Sequence, residues 1–340
     1  MSISETTRSS PQCGHHGFTE LNWLSNEAPS ANSPLTWLDA CDSPFAGRVG
    51  GNQVFVIDRR DPRNDKDFLK VPEAAPWMTL GETFDPGGFR RLDLWKFACL
   101  ECIGAMMNVF ISGGVTLYAP AAVEAPKTEV GIYHILTFFL PLFGGIANLV
   151  LTPLLIYTFT PSSGCHVSPT ITLATFFARI ISFPRAVLYT ASQTQRGALA
   201  GFGIHTAYGS RAFTVGGCYV DTSLVPVDAA LVIEFFSCLI QIFLAFGEAL
   251  DPRQAKIFEH ATGPGLVGVA LGVVCWATAF TRPGYSRTSL NPVRCFGAYV
   301  ASELPSYHWI HWVGPLAAAA AAHGFVYFID PLWTNQRQDT

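Results

Sequence analysis

The chain repeats one order of apolar segments twice, and that order leaves little choice of fold. A membrane-spanning helix needs roughly 20 apolar residues in a row. Six segments are of this kind: Phe97–Tyr118, Val130–Phe159, Ala186–Tyr208, Ala229–Leu250, Gly263–Phe280 and Trp309–Ile329. Their only charges are Glu101, Arg196, Glu234 and Glu248. Two further apolar segments, Thr170–Ile181 and Pro292–Leu304, are too short to span. Each begins at or just after a polar-Pro pair, Ser168-Pro169 and Asn291-Pro292. Proline suits the first turn of a helix, and the residue before it can act as the N-cap. Each short segment therefore reads as a half-helix with a capped start.

The order is span, span, half-helix, span, and then the same again. Glu101 and Glu234 fall in the first span of each half. Three spans per repeat is an odd number, so the second repeat must be inverted in the membrane. Inverted repeats with broken helices place a permeation site near the midplane. Irregular backbone at that depth is tolerated only where it is buried or lines a cavity. The expected fold is an all-α membrane protein with six transmembrane helices and two re-entrant half-helices.

Composition supports this. Charged residues make up 14% of the chain, against about 25% in ordinary soluble domains. Residues 1–91 hold 21 of the 46 charges. A polar head (1–91), a channel body (92–331) and a short tail (332–340) are expected. Net charge is −4 with no basic block, so nucleic acid is not an expected partner. The head shows no persistent period and no secretory signal. It is expected to be disordered or draped on the cytoplasmic face, with Trp77, Phe84 and Phe89 as candidate docking aromatics. Arg90, Arg91, Lys96, Arg179, Arg185, Arg253 and Lys256 fall on one side of the spans. The positive-inside rule then puts both termini in the cytoplasm, of a plasma or an internal membrane. Arg282, Arg287 and Arg294 crowd the opposite side and break the rule. No metal-ligand cluster or nucleophile–base set stands out, so neither enzyme activity nor a cofactor is expected.

A half-helix start carries partial positive charge and free N–H groups. Two such starts meeting in mid-membrane oppose cations and protons. Ser168 and Asn291 would offer donors there, beside Pro169, Thr170, Pro292 and Val293. The segments leading in would expose carbonyls, among them those of Gly164, Cys165, His166, Ser289 and Leu290. Such a ladder suits a small, neutral, hydrogen-bonding solute. Arg294 would face the water-filled path, where an intramembrane Arg is expected. Glu101 and Glu234 are read as bonding the re-entrant backbone. The alternative makes them the proton carriers of a coupled transporter. A non-conducting scaffold is the third reading.

These residues resemble the major intrinsic protein (aquaporin) family. Asn291-Pro292-Val293-Arg294 is similar to its second Asn-Pro-Ala-Arg box, and Gly164 through Thr172 to its first. Asn-Pro-Val-Arg-Cys295 and Val215-Gly216-Gly217-Cys218 resemble signatures of the X-intrinsic proteins of plants and fungi, with a fungal source expected. The resemblance implies a homotetramer with one pore per subunit, set in the lipid bilayer. Its solutes would be glycerol, urea, hydrogen peroxide or boric acid, with water variable. It also implies an outer selectivity filter of Arg294, Thr288, Asn148 and a fifth-span residue. Val273 is taken for that last place, with Cys275 and Ala279 as alternatives. Cys218 and Cys295 would lie together on the outer side. Two buried thiols are the preferred state there, and a bridge or redox pair the alternative.

Overall fold

The computed structural model describes residues 45–50, 68, 71–75, 78–118, 135–251 and 261–328. Trp77, Arg253, Lys256, the tail and most of the head lie outside those residues. Among the described residues eight principal helices follow one another: α1 (Leu92–Val115), α2 (Ile135–Phe159), α3 (Pro169–Phe177), α4 (Phe183–Tyr208), α5 (Val227–Ala245), α6 (Thr262–Thr278), α7 (Pro292–Ala301) and α8 (Ile310–Phe328). A π-helical turn, Phe246–Leu250, extends α5. Among the described residues, three stretches are long and apolar enough to cross a membrane: Leu92–Val115, Pro141–Phe159 and Val227–Leu250. α4 has 26 residues but carries Gln193, Gln195 and Arg196.

α3 and α7 are the half-helices, of 9 and 10 residues. At about 1.5 Å per residue each covers about half of a ~30 Å hydrocarbon core. Both are shorter than the sequence suggests. α3 stops at Phe177 rather than Ile181, and Arg179 then turns left-handed with φ 57°. α7 stops at Ala301, where Ser302 leaves helical geometry. Ser168 Oγ accepts from the Thr170 N–H at 3.3 Å, and Asn291 Oδ1 from the Val293 N–H at 3.1 Å. These side chains cap the two starts, each with Pro in the first turn.

The halves exchange their short helices. α3 packs on α8 of the other half, and α7 packs on α4. The second contact is backbone against backbone. A Cβ on Gly201 would sit 1.9 Å from the Gly297 carbonyl oxygen, and one on Gly297 would sit 2.2 Å from that of Gly197. Gly197 and Gly201 are four apart on α4, the small-residue spacing that lets helices cross closely.

On the far side from the head, β1 (Leu117–Tyr118) pairs antiparallel with β2 (Thr214–Val215). The loop after β2 is bonded to α7 by a disulfide, Cys218–Cys295. The preferred sequence expectation of two free thiols is therefore replaced by a bridge. The loop folds back over the α7 start and brings the two Cα atoms to 5.2 Å, within disulfide range.

Candidate functional site

The starts of α3 and α7 face one another across a cavity of about 80 Å³. Ser168, Asn291, Asn108, Gln241 and Arg294 contribute to its lining. Asn291 Nδ2 points to the Val167 carbonyl at 3.5 Å. Ser168 Oγ accepts the cap bond, and its hydroxyl hydrogen is left as a single short donor.

The strands leading in are held open by unusual backbone. Gly164, Cys165, Val167 and Leu290 have φ of 90°, 52°, 54° and 59°. Left-handed geometry at a β-branched residue such as Val167 costs on the order of 1–3 kcal/mol. Two buried carboxylates hold this shape. Glu101 accepts from the Ser163 hydroxyl (2.7 Å), the His166 N–H (2.9 Å), the Val167 N–H (2.6 Å) and the Gln193 amide (3.1 Å). Glu234 accepts from the Tyr285 hydroxyl (2.8 Å), the Ser289 N–H (2.9 Å) and the Thr288 hydroxyl (3.0 Å). His311 Nδ1 lies 3.2 Å from it. Neither carboxylate is solvent-exposed.

Not every expected carbonyl is left for a permeant. The Leu290 oxygen accepts from the Thr170 hydroxyl at 2.9 Å. That hydroxyl is the added bulk of Thr over Ala, and it is spent inside the protein. The Gly164 oxygen accepts from a head residue, Val49, at 2.9 Å.

The outer constriction differs from expectation in two places. Val273 is 52% exposed on the outer face of α6, so it lines no pore. Cys275, the alternative two residues on, lies on the opposite face of α6. It is 2% exposed, lines the cavity, and has its Sγ 3.8 Å from Asn148 Nδ2. The Thr288 side chain turns away to Glu234 and does not border the cavity. Asn148 is where the gap-free count from Gly164 puts it, but its amide is partly spent on the Gly144 carbonyl at 2.8 Å. Arg294 is buried and bonds the Thr116 hydroxyl (2.8 Å), the Gly216 carbonyl (2.6 Å) and Ser112 Oγ (3.1 Å). Arg287, noted in the sequence only as crowding this side, lines the cavity as well.

The described residues of the head are seated against the channel body. Residues 45–50 are buried in the mouth at the α4 start. The Gly50 N–H donates to the Ala249 carbonyl (3.1 Å), and the Thr160 hydroxyl to the Val49 carbonyl (2.7 Å). His166 Nε2 lies 2.7 Å from the Gly47 carbonyl. The Val49 side chain forms one wall of the cavity. Glu73 anchors this arrangement. Its carboxylate takes two bonds from Arg185 (2.9 and 2.5 Å) and two from Ser182 (2.6 and 2.9 Å). Its own carbonyl accepts from the Ala46 N–H at 2.8 Å. Burial by itself would raise the Glu73 pKa, but the Arg185 charge and these bonds outweigh it and hold it at about 2. The Arg185 guanidinium also lies 4.0 Å over the Phe45 ring. Of the proposed docking aromatics, Phe84 and Phe89 pack on Phe183 at the α4 start. The sequence signal for this seat was weak: one aromatic and one acid in a polar, aperiodic stretch.

The chain is similar to several known proteins. The plant protein described as "Probable aquaporin PIP2-8" (Arabidopsis thaliana) is 28% identical over 78% of this chain and 90% of its own length. "Aquaporin TIP1-2" of Zea mays is 27% identical over 74% of this chain and 91% of its own. The solved aquaglyceroporin from Plasmodium falciparum aligns with 69% of this chain and 98% of its own, at 15% identity and a TM-score of 0.48. The family model "Major intrinsic protein" matches residues 88–327, most of the chain and every helix from α1 to α7. The chain therefore belongs to the major intrinsic protein family and is a passive membrane channel for water or small solutes, not an enzyme.

Proposed function

We propose that the chain conducts small uncharged solutes of the glycerol, hydrogen peroxide or urea class, with or without water, and that its head closes the cytoplasmic mouth at rest. The observation that carries the first part is the filter wall. Asn148 and Cys275 stand where a water-selective pore would carry bulky rings, so a polyol-sized solute has room and hydrogen-bonding partners. The seat of Phe45–Gly50 carries the second part. A proton-coupled mechanism through Glu101 or Glu234 fits poorly, because each carboxylate is enclosed and fully engaged with backbone and hydroxyl donors. The Asn-Pro-Val-Arg-Cys295 and Gly-Gly-Cys218 motifs, joined by their own disulfide, support placement in the X-intrinsic branch. Exposed Phe143, Leu154, Phe236 and Phe243 on the outer helix faces suit lipid and the neighbours of a homotetramer. With both termini cytoplasmic, the Arg287–Arg294 side is the outer one.

The test is stopped-flow light scattering on proteoliposomes with water and glycerol run in parallel, on the full chain and on Glu73→Ala. Glycerol flux that is insensitive to an imposed pH gradient supports the channel. Fast water with no glycerol flux in the unplugged protein would overturn the solute class.

A further inference from the structure

We infer that Arg287 forms, with Arg294, a binding site for a small planar monovalent oxyanion (carboxylate, bicarbonate or nitrate) in the outer constriction. The inference rests on the constriction as read above, but one arm of its test needs no flux.

Arg287 is 2% exposed and lines the cavity. Its Nε and Nη2 are enclosed and meet no hydrogen-bond partner among the described residues. Arg294 differs: its Nε and Nη2 are taken by Ser112, Thr116 and the Gly216 carbonyl, and Nη1 lies 3.5 Å from Cys218 Sγ. The arginine that the sequence motif announces is thus committed to the wall. The one it does not announce keeps its donors for something else.

The two guanidiniums are neighbours. A Cβ built on Gly217 would lie 2.8 Å from Arg294 Nη1 and 3.3 Å from Arg287 Cζ. One on Gly144 would lie 3.4 Å from both Arg287 Nε and Nη2. Glycines on α2 and on the disulfide-bonded loop therefore clear the space that the Arg287 fork occupies. Among the described residues no carboxylate pairs with either guanidinium. Glu234, the nearby acid, is bonded to Tyr285, Thr288 and Ser289.

Enclosed charge is costly unless it is paired and hydrogen-bonded. Two like charges side by side raise that cost, and one anion relieves both. A guanidinium edge presents two parallel donors that match a planar oxyanion, whereas a neutral polyol can satisfy the donors but not the charge. The walls at Asn148 and Cys275 leave room for a ligand no larger than glycerol. An oxyanion held here stands in the path of neutral solutes, so it acts as a blocker from the outer side.

The experiment is thermal unfolding of the full chain in detergent, titrated with sodium formate or sodium nitrate at constant ionic strength. Sodium gluconate, too bulky for the constriction, makes up the balance. A ligand that binds only the folded state raises the midpoint in a saturable way. The expected result is saturable stabilisation of the wild type, an apparent affinity at least tenfold weaker in Arg287→Gln, and a wild-type response in Arg282→Gln, an exposed arginine of the same loop. Should Arg287→Gln fail to fold, Arg287→Lys keeps the charge and loses the fork, and it too is expected to bind more weakly. A wild-type midpoint that formate and nitrate leave where gluconate does, or equal affinity in wild type and Arg287 variants, overturns the proposal. In liposomes, outside formate should slow glycerol flux in the Glu73→Ala background and not when Arg287→Gln is added. Loss of all flux with binding intact would sink the channel reading and leave this one standing.

Discussion

Removing the Glu73 carboxylate should open the head-side mouth. The docked segment is held by four polar contacts to the channel body: Val49 N–H to Gly164, Gly50 N–H to Ala249, Thr160 hydroxyl to Val49, and His166 to Gly47. At about 0.5–1.5 kcal/mol net each, these supply on the order of 2–6 kcal/mol. The Phe45 ring, 3% exposed, adds about 2 kcal/mol. Ordering residues 45–50 at about 1–2 kcal/mol per residue offsets most or all of this, so the Glu73 pair decides the balance. Its magnitude can be reached in two ways. The pKa falls from 4.5 to about 2, and at ~1.4 kcal/mol per pKa unit that is about 3 kcal/mol. Breaking a buried ion pair by removing one partner costs about 3–5 kcal/mol. Both give a shift of about a hundredfold or more in the docking equilibrium.

Glu73→Ala should therefore raise glycerol permeability of proteoliposomes well over tenfold, and Glu73→Gln, which keeps bonds to Ser182 and loses the charge, by less. Deleting residues 1–75 should match or exceed Glu73→Ala. The pH dependence follows from a depressed carboxylate pKa. Its contribution to docking is fully present above about pH 4.5 and is lost as pH falls toward about 2. Flux of the wild type should thus stay low and flat from pH 5.5 to 7.5. Equal permeability of wild type, Glu73→Ala and the head-deleted protein, at matched incorporation, would refute the reasoning.

Other outcomes follow from single contacts. Gly201→Val sets a side chain against the Gly297 carbonyl and should abolish folded protein, read by size-exclusion chromatography in detergent. Cys275→Trp should cut glycerol flux more than tenfold in the Glu73→Ala background while lowering water flux less, in the same stopped-flow assay. Cys218→Ser opens a loop closed across 77 residues and should cost about 4 kcal/mol, seen as a lower unfolding midpoint that added reductant does not lower further. Glu101→Ala leaves the Val167 and His166 N–H groups enclosed without an acceptor. It should destabilise the protein by about 3 kcal/mol or more and lower its unfolding midpoint, and the flux that remains should stay insensitive to an imposed pH gradient.

The elements legible in the sequence are those written locally. A polar residue before Pro at the head of an apolar run announces a capped half-helix, and twofold repetition of that run announces inversion. Glu101 and Glu234 stand out because a charge in an apolar span needs a reason. Half-helix ends were less legible: Arg179 stops α3 by turning left-handed, and nothing in its residue type requires that. Val273 against Cys275 was a question of phase within α6. Two residues are about 200° around a helix, enough to exchange lipid for pore. The seat of Phe45–Gly50 was not legible, since its partners Gly164, His166 and Ala249 lie more than 100 residues away and its own stretch has no period.

Arg287 is the instructive case. The positive-inside count marked it as misplaced, and the motif drew attention to Arg294 instead. In the fold the motif arginine becomes masonry: its donors tie α1, the β2 loop and α7 together, beside the disulfide that joins the same loop to the same helix. A Cβ on Gly144, Gly216 or Gly217 would in each case lie within 4 Å of the Arg287 guanidinium, so these three glycines border the gap it fills. Opening the disulfide should therefore do more than lower stability. With the loop released, Arg287 can turn outward to water, and the constriction loses its inward-facing charge. Formate stabilisation should weaken in Cys218→Ser along with the midpoint itself. A Cys218→Ser protein that unfolds earlier but keeps wild-type formate affinity would show that Arg287 is positioned by the helices alone.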